Sequence, residues 1–150
     1  MTHIAFERPD QPEIVALIDE LDAYQKPLYP PESHYGIPVE ALMQPHVLFA
    51  VARAEGGEAV GCGAVALNDG WGEVKRMFVR PTARGRGVAQ GILAFLEASA
   101  RERGQPLMRL ETGVSQPEAL RFYQRAGYAR RGPFGDFGPD PTSVFMEKPL

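Results

Sequence analysis

Val74-Lys75-Arg76-Met77-Phe78-Val79-Arg80-Pro81-Thr82-Ala83-Arg84-Gly85-Arg86-Gly87-Val88-Ala89 runs from an apolar, β-type stretch through a basic turn into an amphipathic helix. The first amides of a helix have no intrahelical acceptor, and the helix dipole adds partial positive charge there, so such a turn suits an anion. Gly85 and Gly87 carry no Cβ to hold a diphosphate away, and Arg80, Arg84 and Arg86 supply charge around it. The stretch reads as a seat for a phosphorylated cofactor. Two common seats fail on spacing. The dinucleotide fingerprint Gly-x-Gly-x-x-Gly needs a glycine where Gln90 stands, and no Gly-Lys-Ser/Thr triplet of a nucleotide P-loop occurs in the chain.

What remains, with Arg84, Gly87 and Ala89 in place, resembles the Gln/Arg-x-x-Gly-x-Gly/Ala motif with which the GNAT acetyltransferases hold the pyrophosphate of acetyl-CoA. Downstream, Glu118 to Tyr128 resembles the family's second helix, Ala-x-x-Phe/Leu-Tyr-x-x-x-Gly-Phe/Tyr. The similarity covers roughly residues 60 to 148, and the tail from Gly132 is similar to a subgroup of small bacterial members. One departure is Gln116, where many members carry Asn.

The resemblance implies an α/β (mixed α+β) fold in a single acetyltransferase domain over residues 1–150. Its centre would be a mostly antiparallel, twisted sheet of about six to seven strands flanked by about four helices. It implies acetyl-CoA as cofactor, held by Arg84, Gly85, Arg86, Gly87, Val88 and Ala89. The strand segment Met77, Phe78 and Val79 and the second-helix residues Gln116, Ala119, Tyr123 and Arg125 would lie alongside it.

Bulk properties agree with one domain. A chain of 150 residues with 44% hydrophobic content can bury a sizeable core. The net charge of −3 argues against a general nucleic-acid binder, so the arginines from Arg76 to Arg86 read as a local anion site. No apolar run approaches the roughly 20 residues of a membrane span and no signal-peptide pattern opens the chain, so a cytoplasmic location is expected. Cys62, alone in an apolar run, reads as a small buried hydrophobe. His3, His34 and His46 have no metal-ligand spacing, and no metal site is expected.

Outward from the central stretch, the periodicity predicts a strand at 2–7 and a helix begun by a capping box of Asp10 and Glu13, with Ile14, Leu17, Ile18 and Leu21 on one face. Prolines at 27, 30, 31 and 38 exclude regular helix from a stiff connection at 26–38, which a short helix at 39–43 follows. Strands at 46–53 and 59–67 form a hairpin, and a third covers 73–79, where broken alternation predicts a bulge near Arg76. The motif helix ends at a left-handed cap on Gly104, a strand spans 106–112, the next helix ends at Gly127, and a final strand covers 143–148.

Transfer of an acetyl group to an amine needs a base, because an alkyl ammonium with pKa near 10 is not nucleophilic at neutral pH. Glu73 is the first candidate, on an offset to Arg84 that resembles the catalytic glutamate of the histone-modifying branch; the alternative is a strand-edge carboxylate paired with Lys75 or Arg76. Glu111 is the reserve. Tyr123, the tyrosine before the Gly-Tyr pair, is the candidate acid for the departing thiolate. A backbone N–H near Met77 to Val79 would steady the carbonyl oxygen.

Tyr29, Glu32 and His34 in the stiff segment, and Phe134 and Asp136 in the later aromatic loop, border the expected acceptor side with Arg76 and Glu111. Glu32 or Asp136 would hold a cation and Lys75 or Arg76 a carboxylate. The expected activity is N-acetyl transfer to a small-molecule amine in a ternary complex, without nucleic acid or membrane as partner and with a homodimer as the assembly to look for. A peptide or protein amine, or a non-catalytic acyl-CoA sensor, are the alternatives.

Overall fold

The computed structural model describes residues 2–150. In chain order the elements are β1 (His3–Phe6), α1 (Pro12–Gln25), α2 (Val39–Leu42), β2 (Val47–Arg53), β3 (Ala59–Leu67), β4 (Gly72–Val79), α3 (Val88–Glu102), β5 (Leu107–Gly113), α4 (Pro117–Arg125), β6 (Ala129–Arg131) and β7 (Ser143–Pro149). The strands form one seven-stranded sheet in the order β1-β2-β3-β4-β5-β7-β6. Every neighbouring pair is antiparallel except β4 with β5.

Apolar periodicity sorts the helices onto two faces. α1 turns Ile14, Leu17, Ile18 and Leu21 inward against Phe49, Val51, Cys62 and Phe78, with Leu42 of α2 in the same cluster. Each such side chain, fully buried, contributes roughly 1.5–3 kcal/mol. α3 presents Ile92, Leu93, Leu96 and Ala100 to the opposite face, where Val65, Met108, Leu110 and Met146 meet them. α3 lies so close to β3 that a Cβ on Gly63 would stand 2.9 Å from Ile92 Cγ2.

Both expected glycine caps form full Schellman turns. At Gly104 (φ 79°) the Gln105 amide reaches the Ala100 carbonyl at 3.0 Å, and at Gly127 (φ 103°) the Tyr128 amide reaches the Tyr123 carbonyl at 3.0 Å. The start of α1 differs from expectation. The Asp10 carboxylate accepts from the Arg8 guanidinium at 2.8 Å, and the helix begins at Pro12 behind Gln11 without a side-chain cap. Proline at N1 needs no capped amide of its own, which makes the box dispensable. β6, three residues with two arginines and no alternation, has no signature in the sequence and exists because β7 offers it an edge. The stiff connection contains two 3-10 turns, Lys26–Leu28 and Pro31–Ser33.

Candidate active site

β4 and β5 lie parallel for only three register pairs, Gly72 with Met108, Glu73 with Arg109 and Val74 with Leu110. Beyond Val74 the strands part. The cause is visible in β4, where the register against β3 shifts between Cys62 and Ala64 and Arg76 takes φ 54°. Positive φ in a non-glycine residue persists only when its surroundings fix it. Here the Arg76 guanidinium donates to Asp22 at 2.7 Å and to the Ile37 carbonyl at 3.1 Å, the Cys62 thiol donates to the Arg76 carbonyl at 3.3 Å, and the arginine side chain is 7% exposed.

The gap between the parted strands opens into a cavity of about 390 Å³. Its floor comes from β4 (Glu73, Lys75, Met77) and β5 (Leu110, Glu111, Gly113), one wall from α4 (Gln116, Ala119, Tyr123) and the other from the end of α1 and the stiff segment (Asp22, Tyr29, His34, Tyr35). A Cβ on Gly113 would stand 1.7 Å from the Tyr29 hydroxyl, so glycine is required for Tyr29 to cross the strand end. There Tyr29 donates to Gln116 Oε1 at 3.0 Å, which joins the stiff segment to the first turn of α4. Asp140 ties the same segment down from the other side, accepting from Ser33 Oγ at 2.7 Å, from Tyr35 and from Thr142. The Tyr35 hydrogen bond, with those of Ser33 and Thr142, holds the Asp140 carboxyl well below the usual carboxylate range.

Two carboxylates face the cavity in different settings. Glu73 is 8% exposed, and Lys75 Nζ lies 2.8 Å from its Oε2 without the angle of a hydrogen bond, so that buried oxygen has a counter-charge but no donor. Burial pushes the Glu111 carboxyl up to about 7, against the hydrogen bond from Ser143 Oγ at 2.8 Å and the nearby Lys75 charge. Tyr123 is buried, its hydroxyl makes no hydrogen bond among the described residues, and burial raises its pKa.

The basic turn after β4 leaves its donors open. Among the described residues, the backbone amides from Gly85 to Gln90 have no protein acceptor; the first bond of the helix is Gly91 N–H to Gly87 O at 3.0 Å. Gly85 (φ 80°) and Gly87 (φ 75°) take left-handed backbone, and no atom stands within 4 Å of a Cβ built on Gly85. Arg86 is exposed, whereas Arg84 Nε is bound to the Val79 carbonyl at 3.0 Å. Arg80 is spent on Glu20, Glu58 and the Ala59 carbonyl.

Among the described residues the β5-facing edge of β4 has no strand partner beyond Val74 and leads to consecutive free amides, an arrangement that a diphosphate with an extended amide arm can occupy. A family model for the Acetyltransferase (GNAT) family matches residues 14–128. The chain belongs to the GNAT family. It is 50% identical to the IAA acetyltransferase of Azospirillum brasilense over 149 residues, 98% of this chain and 97% of that one. A crystal structure from Klebsiella pneumoniae, assigned to the acyl-CoA N-acyltransferases, superposes with a TM-score of 0.85 at 42% identity, covering 100% of this chain and 98% of that one. The PaiA N-acetyltransferase of Thermoplasma acidophilum, solved with coenzyme A, shares the fold at 15% identity and a TM-score of 0.77, over 100% of this chain and 99% of that one. The protein is thus an acetyl-CoA-dependent N-acetyltransferase of the GNAT family. No helix among the described residues is long and apolar enough to cross a membrane.

Within this GNAT frame the expected site residues divide. Glu73, Arg76, Met77, Glu111, Gln116, Ala119, Tyr123, Tyr29 and His34 meet around the one cavity. Phe78, Val79 and Val88 point into the two cores, so only their backbone faces the gap. Arg125 and Glu32 are exposed and do not line the cavity. Phe134 is buried against Trp71, Phe137 and Phe145. Asp136 lines a second hollow. Tyr35, in the stiff segment, also lines the first cavity, and Asp22 has no signal in the sequence: only its pairing with Arg76, 54 positions away, reveals its place.

Proposed function

We propose that the protein acetylates the primary amine of a small molecule by direct transfer in a ternary complex, with Glu111 as the base and Tyr123 as the acid. The observation that supports this reading is the convergence of Glu111 and Tyr123 on one cavity at the point where β4 and β5 part. The open amides of Gly85 to Gln90 fit a diphosphate, and with Arg86 they would hold the phosphates of acetyl-CoA. The bound thioester supplies the acyl group and a thiolate leaving group.

The chain's own residues then manage protons and water. Glu111 Oε2 is held by Ser143, and its Oε1, without a donor among the described residues, is open to take a proton from the incoming ammonium. A carboxyl tuned to about 7 is half ionised at neutral pH and is a stronger proton acceptor than an ordinary glutamate. Glu73, the first candidate on sequence grounds, already has the Lys75 ammonium 2.8 Å from its Oε2 as a counter-charge, whereas Glu111 faces the cavity without an ion-pair partner among the described residues. As the amine nitrogen bonds to the carbonyl carbon and the carbon–sulfur bond breaks, the Tyr123 hydroxyl gives its proton to sulfur, and the second proton shed by the nitrogen makes good the tyrosine's loss, so that the products are the amide, the free thiol and the one proton taken by Glu111. Tyr29 and Gln116 close the cavity's edge against water.

Release of free thiol from acetyl-CoA, followed across a panel of small primary amines, tests the reading. Amine-dependent release that drops at least about a hundredfold in Glu111→Gln and Tyr123→Phe supports it. Binding of acetyl-CoA without amine-dependent release by any member of the panel favours a non-catalytic acyl-CoA module.

A further inference from the structure

A second hollow, about 360 Å³, adjoins the cavity already described and shares Tyr35, Glu73 and Lys75 with it. Its remaining walls are Asn68, Trp71, Phe137 and the glycine-rich turn around Asp136. We propose that this hollow is a subsite for an aromatic ring on the acceptor, so that the preferred substrates are arylalkylamines whose nitrogen lies in the first cavity and whose ring lies in the second. The inference rests on the amine-transfer reading above and adds to it the class of acceptor.

Three features carry it. Three of the lining residues, Tyr35, Trp71 and Phe137, are rings held in place by other rings. Phe137 stands edge-on to Tyr35 at 5.1 Å and packs on Phe145 at 5.3 Å, while Trp71 stands edge-on to Phe134 at 5.2 Å with the Arg109 guanidinium 5.0 Å from its own centroid. Rings so fixed present edges and faces to a further ring at little entropic cost. The loop facing Trp71 is pared back: a Cβ on Gly135 would already touch the indole at 3.4 Å, and nothing lies within 4 Å of a Cβ on Gly138. The volume is at the small end of ligand pockets, which run from roughly 300 Å³, and suits a ring rather than a chain of sugars or residues. The partition between the two spaces is the Lys75–Glu73 pair, and Lys75 Nζ lies 5.3 Å from the Phe137 centroid. A short alkyl linker passing that pair would leave both charges matched.

Trp71 is the chain's single tryptophan, so its fluorescence reports on this hollow alone. The test titrates the protein, saturated with coenzyme A, with 2-phenylethylamine and with butylamine, and measures acetylation of both amines. A saturable emission change with 2-phenylethylamine only, and a kcat/KM at least tenfold higher for it, are expected. Trp71→Ala and, should that variant fold poorly, Gly138→Leu in the open loop should each reduce this ratio to near one. Equal use of both amines with no emission response overturns the aromatic subsite and leaves amine transfer standing. A saturable emission response without acetylation of either amine supports the subsite and removes the transfer reading.

Discussion

Tyr128 stands edge-on to Tyr123, with ring centroids 5.7 Å apart and planes at 70°. Its own hydroxyl donates to Glu97 at 2.8 Å, and Lys148 Nζ donates to the same buried carboxylate at 3.0 Å. Tyr123 makes no such bond, so the position of its hydroxyl depends on rings, those of Tyr128 and of Phe122 at 5.1 Å. Removing the Tyr128 hydroxyl frees the ring that backs the proposed acid. Tyr123→Phe should lower kcat about a hundredfold with little change in KM for acetyl-CoA. Tyr128→Phe should lower kcat by a smaller factor and should have no further effect once Tyr123 is already Phe. Steady-state kinetics on the two single variants and the double variant measures that coupling.

The pH dependence of activity and of stability should both carry the mark of Glu111. With its carboxyl at about 7, kcat/KM should rise through neutral pH, and Glu111→Gln should abolish the rise along with most of the rate. For stability, the native state keeps this proton to higher pH than the unfolded chain, whose glutamates titrate near 4.5. Between those values the unfolded chain binds fewer protons, so stability present below pH 4.5 is lost as pH climbs through 7. The loss is up to about 3 kcal/mol, and Glu111→Gln should escape it. Urea unfolding at pH 4.5 and at pH 8 gives the comparison.

The free amides at the head of α3 predict two separable effects. Arg86→Ala removes an exposed charge that has no ion-pair partner among the described residues. It should weaken coenzyme A binding several-fold, more so at low salt, with unfolding unchanged within about 0.5 kcal/mol. Gly87→Val imposes a β-branched residue on φ 75° and should cost about 1–3 kcal/mol of stability as well as most of the affinity. Calorimetric titration and thermal unfolding distinguish them.

Arg76 is occupied by the fold rather than left open for an acceptor's carboxylate. Arg76→Ala strands Asp22 and should destabilise by about 3 kcal/mol. Arg76→Lys should recover little, because an ammonium cannot reach both Asp22 and the Ile37 carbonyl as the guanidinium does. Denaturant midpoints for the two variants check this.

Local signals were readable and distant ones were not. The turn from Val79 to Val88, the glycine caps at 104 and 127 and the bulge at Arg76 each declare themselves within a few residues, since backbone conformation and helix ends are set by near neighbours. The side-chain partnerships that shape the cavity cross the chain: Tyr29 meets Gln116 over 87 positions, and Ser33 meets Asp140 over 107. No periodicity encodes them, because they arise only when the sheet brings the stiff connection beside β5 and the turn before β7. The choice of base follows the same division: an offset along the chain, which can be counted, points to Glu73, whereas the burial that pushes up the Glu111 carboxyl leaves no mark in the sequence. β6 is invisible for the converse reason, being defined by the strand beside it.

The burial of Cys62 has a practical consequence at the bench. Fully enclosed, with burial pushing its pKa up to about 12, this sole sulfhydryl should ignore a disulfide-exchange dye as long as the protein stays folded. Colour developed during turnover then counts liberated coenzyme alone, and a slow background in its absence becomes a clock for how often the polypeptide opens.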